Sequence, residues 1–303
     1  MRVVFCGNNN RGSECLSYLA QAKEIEILLA IGHYVEFDTF SEYFSSIKTT
    51  AKNNNIEYFC PKNINELESR KKIKELEPDI MVLVGYSQNI LKRETFEIPK
   101  FGTINIHASL LPDYRGASPI NWAIIYGEKK LGFSIIEVDE GVDTGPILEQ
   151  HEISFNESDD INTITNKINS MIAPAVLSVL LNIETKLKNK RFQKIDEGFF
   201  CSKRKVDDGL INFQKLSSSE IIRLVKALCY PYPGAFFIFN DQKFIVDRAY
   251  TPKSNFHGIP GRIVQIKKQH ITVVCKDRGL CLELRNISDH SKIQFFKISE
   301  DIK

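Results

Sequence analysis

An amide and an imidazole lie two residues apart in the stretch NIHASLLPDYRG, at Asn105 and His107. The apolar residues before them predict a buried strand, in which side chains at positions i and i+2 point to the same face. Asn105 and His107 would therefore share one face where the strand gives way to a loop. An amide N–H suits stabilisation of a developing oxyanion, and a histidine can donate to the same oxygen or move a proton.

A carboxylate follows at Asp143, in the segment EVDEGVDTGPIL. It could hold the histidine in its charged form or accept a proton from an amine nucleophile. The three side chains together suit acyl transfer to an amine without a covalent enzyme intermediate. Ser109 is a weaker nucleophile candidate because no GxSxG motif surrounds it. Spacing alone leaves the plainer interpretation open, because Asn-x-His can be a polar patch and an Asp before a turn commonly caps it.

Alternating strands and helices must position these residues. Apolar runs such as RVVFCG, IEILLAIG, DIMVLVG and GTINIH alternate with helical segments. Strands that are apolar throughout indicate a parallel sheet covered on both faces, so we expect a Rossmann-like, doubly wound α/β domain over residues 1–205. Its ligands should bind beyond the carboxyl ends of the strands. Short β-like runs then predict a smaller β-rich, barrel-like domain over residues 206–303.

The composition narrows the possible classes of protein. Hydrophobic residues make up 43% of the 303 residues, and the net charge of +2 gives no polybasic tail. The seven cysteines form no CxxC pair and the histidines lack metal-ligand spacing, so we expect reduced thiols and no metal. No run approaches about 20 apolar residues, and the apolar start is too short for a signal peptide. We therefore expect a soluble, cytoplasmic protein without a membrane span.

Two longer stretches carry a resemblance to a known family. NIHASLLPDYRGASPINWAIIYGE followed by DEGVDTGPIL closely resembles the signature of the formyltransferases that use 10-formyltetrahydrofolate. Shared features are Asn-x-His, Ser-Leu-Leu-Pro, Arg-Gly-x-x-Pro and Asp-x-Gly-Pro-Ile, and the 36-residue separation of His107 from Asp143 is similar too. The resemblance extends over the whole chain, including the turn YPYPGAFF. It implies that Asn105, His107 and Asp143 are the catalytic trio and that a substrate amine attacks the formyl carbon directly.

The resemblance also implies where the formyl donor, 10-formyltetrahydrofolate, binds. Its pterin would lie against the loop after DIMVLV and against a second loop that ends at Asp143, largely through backbone hydrogen bonds. The residues implied are Gly85, Tyr86, Gln88, Ile90, Leu91, Asp139 and Asp143.

Two branches of this family formylate different amines, those of methionyl-tRNA and of nucleotide-linked amino sugars. The tRNA branch normally carries a basic, Gly-rich insertion after the second strand, because phosphates need Lys and Arg. Residues 32–46 of this chain, GHYVEFDTFSEYFSS, contain three acidic residues and no Lys or Arg. Asn121 and Trp122 replace the usual Gln-Arg and resemble the formyltransferase domain that acts on UDP-4-amino-4-deoxy-L-arabinose. We therefore expect a sugar N-formyltransferase and disfavour nucleic acid as a partner.

One observation favours the alternative, a methionyl-tRNA formyltransferase. From Lys243 to Lys303 the chain has 12 Lys and Arg against 6 Asp and Glu. Scattered lysines on barrel strands are more often a solvated face. A hydrolase that releases formate, or a folate- or nucleotide-binding protein, are further alternatives, although a binding protein should have lost part of the trio.

A nucleotide-linked amino sugar needs cations for its diphosphate and an aromatic ring for its base or sugar. The residues expected to contact it are Arg11, Gly12, Ser109, Arg115, Gly116, Lys203, Arg204 and Tyr232. The alternatives are that KRK is an exposed linker and that the Tyr232 ring stabilises its turn. By analogy with the family we expect a UDP- or dTDP-linked 4-amino-4,6-dideoxy sugar, made for a surface polysaccharide such as an O-antigen or for flagellin, and a homodimer.

Overall fold

A computed structural model describes residues 1–34, 46–194, 196–267, 270–285 and 296–302. The chain divides into two compact units that are interleaved along the sequence. The first comprises Met1–Pro119, Lys130–Ser154 and Thr165–Cys201, and the second comprises Ile120–Lys129, Phe155–Ile164 and Ser202–Lys303. Because of this interleaving, the single boundary at residue 205 stays a prediction.

The first two thirds of the chain alternate between strands and helices. Their bounds are β1 (Arg2–Gly7), α1 (Asn9–Leu19), β2 (Glu26–Ile31), α2 (Ile47–Asn53), β3 (Tyr58–Phe59), α3 (Leu67–Glu75), β4 (Ile80–Val84), α4 (Arg93–Phe96), β5 (Thr103–His107), β6 (Arg115–Gly116), α5 (Pro119–Tyr126), β7 (Lys130–Glu137), β8 (Ile147–Ser154), α6 (Ile161–Leu181), α7 (Ile183–Lys188) and β9 (Phe200–Cys201). The remaining elements are a 3₁₀ turn (Val206–Gly209), α8 (Ser218–Leu228), β10 (Ala235–Phe239), β11 (Gln242–Tyr250), β12 (Ile263–Lys267), β13 (His270–Val274) and β14 (Gly279–Leu284).

A seven-stranded sheet with the order β3-β2-β1-β4-β5-β7-β8 forms the centre of the first unit. The strands from β3 to β5 pair in parallel, whereas β7 and β8 are antiparallel to their neighbours. All five residues of β4 are buried, as expected for a strand in the middle of a covered parallel sheet. The predicted α/β class is therefore confirmed, and the antiparallel β7–β8 pair is an addition that the apolar pattern did not predict.

The register across β4, β5 and β7 places three side chains in one row. Leu83 pairs with Asn105, and Asn105 pairs with Ile136. Because paired residues of neighbouring strands point to the same face, this row forms a patch of that face with one amide between two aliphatic side chains.

Helix α6 is the long, apolar helix of the chain. Within the part of the chain that the structure describes, it alone has the length and mean hydropathy (1.3) of a possible membrane span. Core helices of soluble proteins meet the same criteria, and the buried positions of α6 recur at helical spacing, at Ile164, Ile168, Ile172, Val176 and Val179. The apolar stripe therefore serves packing within the fold.

The second unit contains a five-stranded antiparallel sheet with the order β10-β11-β14-β13-β12. Aromatic rings pack beside it: Phe237 stacks on Phe244 at 5.5 Å and meets Phe213 edge-on at 5.9 Å. This confirms the predicted β-rich C-terminal region. Among the described strands no pairing joins β10 to β12, so the sheet is open at those edges.

Candidate active site

Asn105 and His107, both on β5, contact the carboxylate of Asp143. The Nδ2 of Asn105 donates to Oδ1 of Asp143 at 3.2 Å, and Nδ1 of His107 lies 3.3 Å from Oδ2. The backbone N–H of Gly116 donates to that second oxygen at 2.9 Å. The two oxygens of Asp143 thus face three nitrogens from two neighbouring segments.

The antiparallel β7–β8 pair brings Asp143 to this position. Residues 138–146 connect the two strands and cross back towards β5, where the N–H of Val138 donates to Thr103 at 2.8 Å. Asp143 has a φ of +55°, a left-handed conformation that Asp adopts more readily than most residues. A Cβ at Gly145 would lie 1.8 Å from the carbonyl oxygen of Glu137, so only glycine fits there. The Asp-x-Gly pattern is therefore a requirement of the turn as well as of the site.

His107 is held between two acceptors. Its Nε2 lies 2.8 Å from the backbone oxygen of Tyr114, its Nδ1 faces Asp143, and the residue is 7% exposed. A carbonyl oxygen and a carboxylate can only accept, so an imidazolium, with both nitrogens protonated, satisfies both contacts. This arrangement leaves neither ring nitrogen free to face the pocket. It differs from the expectation that His107 donates to the reacting oxygen, because both of its nitrogens are engaged by the protein.

A pocket of about 300 Å³ opens above the row of Leu83, Asn105 and Ile136. Its walls come from the loop after β4 and from the β7–β8 loop, and both Asn105 and Asp143 line it. A small, largely apolar pocket with a few polar groups suits a flat heteroaromatic ring. The volume and this lining therefore fit the pterin of a folate.

Five of the seven residues predicted for the pterin line this pocket, namely Tyr86, Ile90, Leu91, Asp139 and Asp143. Gly85 instead shapes the start of the loop with a φ of +69°. Gln88 does not line the pocket, and its Nε2 donates to the carbonyl oxygens of Pro61 and Lys62 at 3.0 and 2.7 Å.

His33 contacts two residues of the loop after β4. The Nε2 of His33 accepts the backbone N–H of Ser87 at 3.0 Å, and its ring meets Tyr86 edge-on at 5.0 Å. Burial lowers the pKa of His33 to about 4, so the ring stays neutral and keeps its acceptor near neutral pH. His33 has no recognisable motif around it, and the sequence assigned it no role.

Four of the expected substrate contacts in the first unit are engaged by the protein. Ser109 is fully buried and donates to the carbonyl oxygen of Asp113 at 2.7 Å. Arg115 is also fully buried, with its guanidinium bonded to Gln193 and to backbone carbonyls. Arg11 donates to Asn169 at 2.9 Å, and Gly12 packs closely against Gly7 and Val84. Ser109 and Arg115 therefore stabilise the loop through these bonds, and their contact with a substrate stays a prediction.

Gly116 lies beside Asp143 in the pocket lining and has a φ of +87°. A Cβ there would lie 2.7 Å from the backbone oxygen of Cys201, which pairs with it in the short β6–β9 ladder. Glycine is thus the residue that lets the chain pass close to β9 while presenting its N–H to Asp143.

Lys203, Arg204 and Tyr232 belong to the second unit. Lys203 is exposed, and Arg204 is half-buried with its guanidinium 5.3 Å from the Trp122 ring centre. Burial lowers the pKa of Arg204, which remains a cation. Tyr232 is 38% exposed. Their contact with a substrate stays a prediction. Residues 35–45, which hold most of the acidic segment that distinguished the two branches, lie outside the described residues.

The sheet and the pocket at its edge define an α/β protein with a candidate small-molecule site. The chain belongs to the formyl transferase family: the model "Formyl transferase" matches residues 19–180, and "Formyl transferase, C-terminal domain" matches residues 203–295. Enzymes of this family use 10-formyltetrahydrofolate as the formyl donor.

Most curated proteins that resemble the chain in sequence carry the name methionyl-tRNA formyltransferase. It is 33% identical to the methionyl-tRNA formyltransferase of Ehrlichia canis over 91% of this chain and 89% of that one. It is 31% identical to the bifunctional polymyxin resistance protein ArnA of Wigglesworthia glossinidia brevipalpis, over 98% of this chain and 46% of that longer protein. An N-formyltransferase structure from Helicobacter canadensis, with folinic acid and dTDP-3-aminofucose, superposes with a TM-score of 0.67 at 20% identity, covering 93% and 98% of the two chains. This last likeness concerns the fold alone.

Proposed function

We propose that this formyltransferase moves the formyl group of 10-formyltetrahydrofolate to the amine of a nucleotide-linked amino sugar. The observation that carries the formyl-transfer step is the Asn105–Asp143–His107 network, which reaches the pocket through Asn105 and Asp143. In the bound complex, the pterin lies in this pocket between the loop after β4 and the β7–β8 loop.

The chemical step then needs few groups. The lone pair of the amine attacks the formyl carbon, and the carbonyl oxygen becomes an oxyanion that the second N–H of Asn105 stabilises. The imidazolium of His107 favours the same negative charge from below. Asp143 accepts a proton from the attacking amine and passes it towards N10 of the folate as the C–N10 bond breaks. The products are the N-formyl sugar and tetrahydrofolate, so atoms and charge balance without a covalent enzyme intermediate.

The charge pattern of the second unit supports a sugar acceptor over a tRNA. Each of four arginines in the basic C-terminal segment lies 2.7–3.9 Å from a carboxylate: Arg248, Arg262, Arg278 and Arg285. A phosphate backbone would meet those carboxylates as well as the cations, which lowers the electrostatic gain on binding RNA. The absence of Lys and Arg from residues 32–46 supports the same choice.

The identity of the sugar, the compartment and the oligomeric state are proposed as the sequence predicts them. We propose a UDP- or dTDP-linked 4-amino-4,6-dideoxy sugar, formylated in the cytoplasm for a surface glycan or flagellin, by a homodimer. Light scattering of the purified protein tests the dimer.

Methionyl-tRNA formyltransferase is the second candidate, and a specific observation favours it. The relative from Ehrlichia canis carries that name and is matched along nearly its whole length. A tRNA enzyme should bind its substrate with a steep salt dependence, because several phosphate contacts release counterions. A sugar-nucleotide enzyme should show a shallow one.

The experiment is a formyl-transfer assay with 10-formyltetrahydrofolate and mass detection of products. The acceptors are a panel of UDP- and dTDP-amino sugars and, separately, charged initiator tRNA. A formyl group on a sugar nucleotide, lost in Asn105→Ala but kept in the exposed control Asn156→Ala, supports the proposal. Formylation of tRNA alone overturns the choice of acceptor, and release of formate without transfer overturns both candidates in favour of a hydrolase.

A further inference from the structure

Gln193 lies at the centre of a hydrogen-bond network behind the site. Its Nε2 donates to the backbone oxygens of Asp143 and Gly145, at 2.9 and 2.7 Å. Its Oε1 accepts from Nε and Nη2 of Arg115, at 3.2 and 3.0 Å. Both amide hydrogens and both lone pairs of the side chain are therefore used.

The orientation of this amide is fixed by its partners. Carbonyl oxygens can only accept and a guanidinium can only donate, so a flipped amide would put like groups against each other on both sides. Arg115 is itself fully buried and donates to the backbone oxygens of Glu197 and Lys194 at 3.1 Å. The amide thus lies between a fixed cation and the β7–β8 loop.

Gln193 connects the two segments that meet at Asp143. On one side it holds the backbone of Asp143 itself, which has a left-handed φ of +55°. On the other it holds Arg115, whose neighbour Gly116 donates to Oδ2 of Asp143 at 2.9 Å. A displacement of either segment would change the distances from the carboxylate to Asn105 and His107.

We infer that Gln193 is a positioning residue for formyl transfer, which fixes the carboxylate of Asp143 against Asn105 and His107. This inference rests on the proposed function for its kinetic consequence, whereas its structural consequence is independent of the substrate. Misplacing a reacting group by about 1 Å can cost about 100-fold in rate, so a clamp on the backbone of Asp143 bears directly on kcat.

The test variant is Gln193→Glu, which has nearly the same shape. A carboxylate still accepts from Arg115, but it donates to neither backbone oxygen and repels both. The matched control is Gln214→Glu in the second unit, where Nε2 of Gln214 also points at two backbone oxygens, those of Pro260 and Ile302, at 3.5 and 3.4 Å. Gln193→Leu is a second variant, which removes the donors without adding a charge.

Two readouts are measured on the full chain. The first is steady-state formyl transfer by the wild type and each variant. We expect kcat of Gln193→Glu to fall about 10- to 100-fold while KM for the folate changes less, at temperatures where melting curves show each variant to be fully folded. The second is hydrogen–deuterium exchange of the peptide containing residues 138–146, which should be faster in Gln193→Glu and unchanged in Gln214→Glu.

The outcomes separate the inference from the proposed function. A wild type that transfers no formyl group to any acceptor overturns the function, while exchange still decides whether Gln193 holds the loop. Wild-type kcat and exchange in both Gln193 variants overturn the inference. So does a loss of activity that follows the unfolded fraction alone, since that indicates a merely structural role.

Discussion

Replacing Asp143 by asparagine removes the charge at the centre of the site and keeps the shape of the side chain. The carboxylate accepts three donors, from Asn105 at Oδ1 and from Gly116 and His107 at Oδ2. An asparagine amide has one acceptor atom and one NH₂ group, so in either orientation at least one of these donors faces another donor. His107 also loses the carboxylate oxygen that faces its Nδ1.

The magnitude follows from these losses. A hydrogen bond to a charged group contributes about 1.5–3 kcal/mol, so one lost contact should lower the free energy of unfolding by an amount in that range. The effect on catalysis should be larger, because Asp143→Asn also removes the proton acceptor, which typically contributes about 10²–10⁴-fold. We therefore expect kcat to fall about 10³-fold, equivalent to about 4 kcal/mol in the activation barrier.

The assay is single-turnover formyl transfer at saturating folate, with urea unfolding on the same preparations. Asp113→Asn, an exposed carboxylate in the loop after β5, is the control for the charge change and should keep the wild-type rate. If Asp143→Asn retained kcat within about tenfold of the wild type, then proton transfer through this carboxylate would be refuted.

Three further predictions concern the surroundings of the site. His33→Phe removes the acceptor of the Ser87 N–H, so KM for the folate should rise about 5- to 50-fold in steady-state assays. The control is His33→Gln, whose Oε1 can take the place of Nε2, and its KM should stay near that of the wild type. Because burial lowers the pKa of His33 from 6.5 to about 4, the unfolded chain binds this proton first as the pH falls. The contribution of His33 to the free energy of unfolding should therefore be complete above pH 6.5 and fall towards pH 4, by about 1–2 kcal/mol after allowing for partial solvent screening. The urea midpoint of His33→Gln should not show this dependence on pH. Gly116→Ala should unfold at least about 2 kcal/mol more easily, since its Cβ would lie 2.7 Å from the oxygen of Cys201; a wild-type melting curve would contradict the close approach.

The pairing of Asn105 with His107 was predictable because it depends on a local rule. The apolar run gave the strand, and the period of two gave the common face. Asp143 is different, since it reaches that face only through the antiparallel β7–β8 pair. No local pattern encodes which strand lies next to β5, and the residue was identified through the family resemblance rather than from spacing.

Ser109 and Arg115 show what the sequence could not reveal about burial. A hydroxyl and a guanidinium in a polar loop are usually exposed, and nothing in their sequence neighbourhood indicates that these two are not. Ser109 bonds the backbone oxygen of Asp113 within the loop, and Arg115 bonds those of Lys194 and Glu197 in the segment before β9, and both residues are fully buried. Gln193 was missed for a related reason: its partners lie 48–78 residues away in sequence, and its side chain is chemically ordinary until those partners surround it.

The hydrogen bonds of Asn105 and His107 indicate different roles for the two residues in formyl transfer. Asn105 uses one N–H for Asp143 and lines the pocket, whereas both nitrogens of His107 are taken up by Tyr114 and Asp143. We infer that Asn105 is the direct donor to the oxyanion and that His107 acts through its charge. The loss in His107→Gln should then come from the missing charge, and a neutral donor should not restore the rate, whereas in Asn105→Ala the lost donor should cost about 10²–10³-fold in kcat. Recovery of wild-type kcat by His107→Gln would contradict the electrostatic role and return His107 to the position of a direct hydrogen-bond donor.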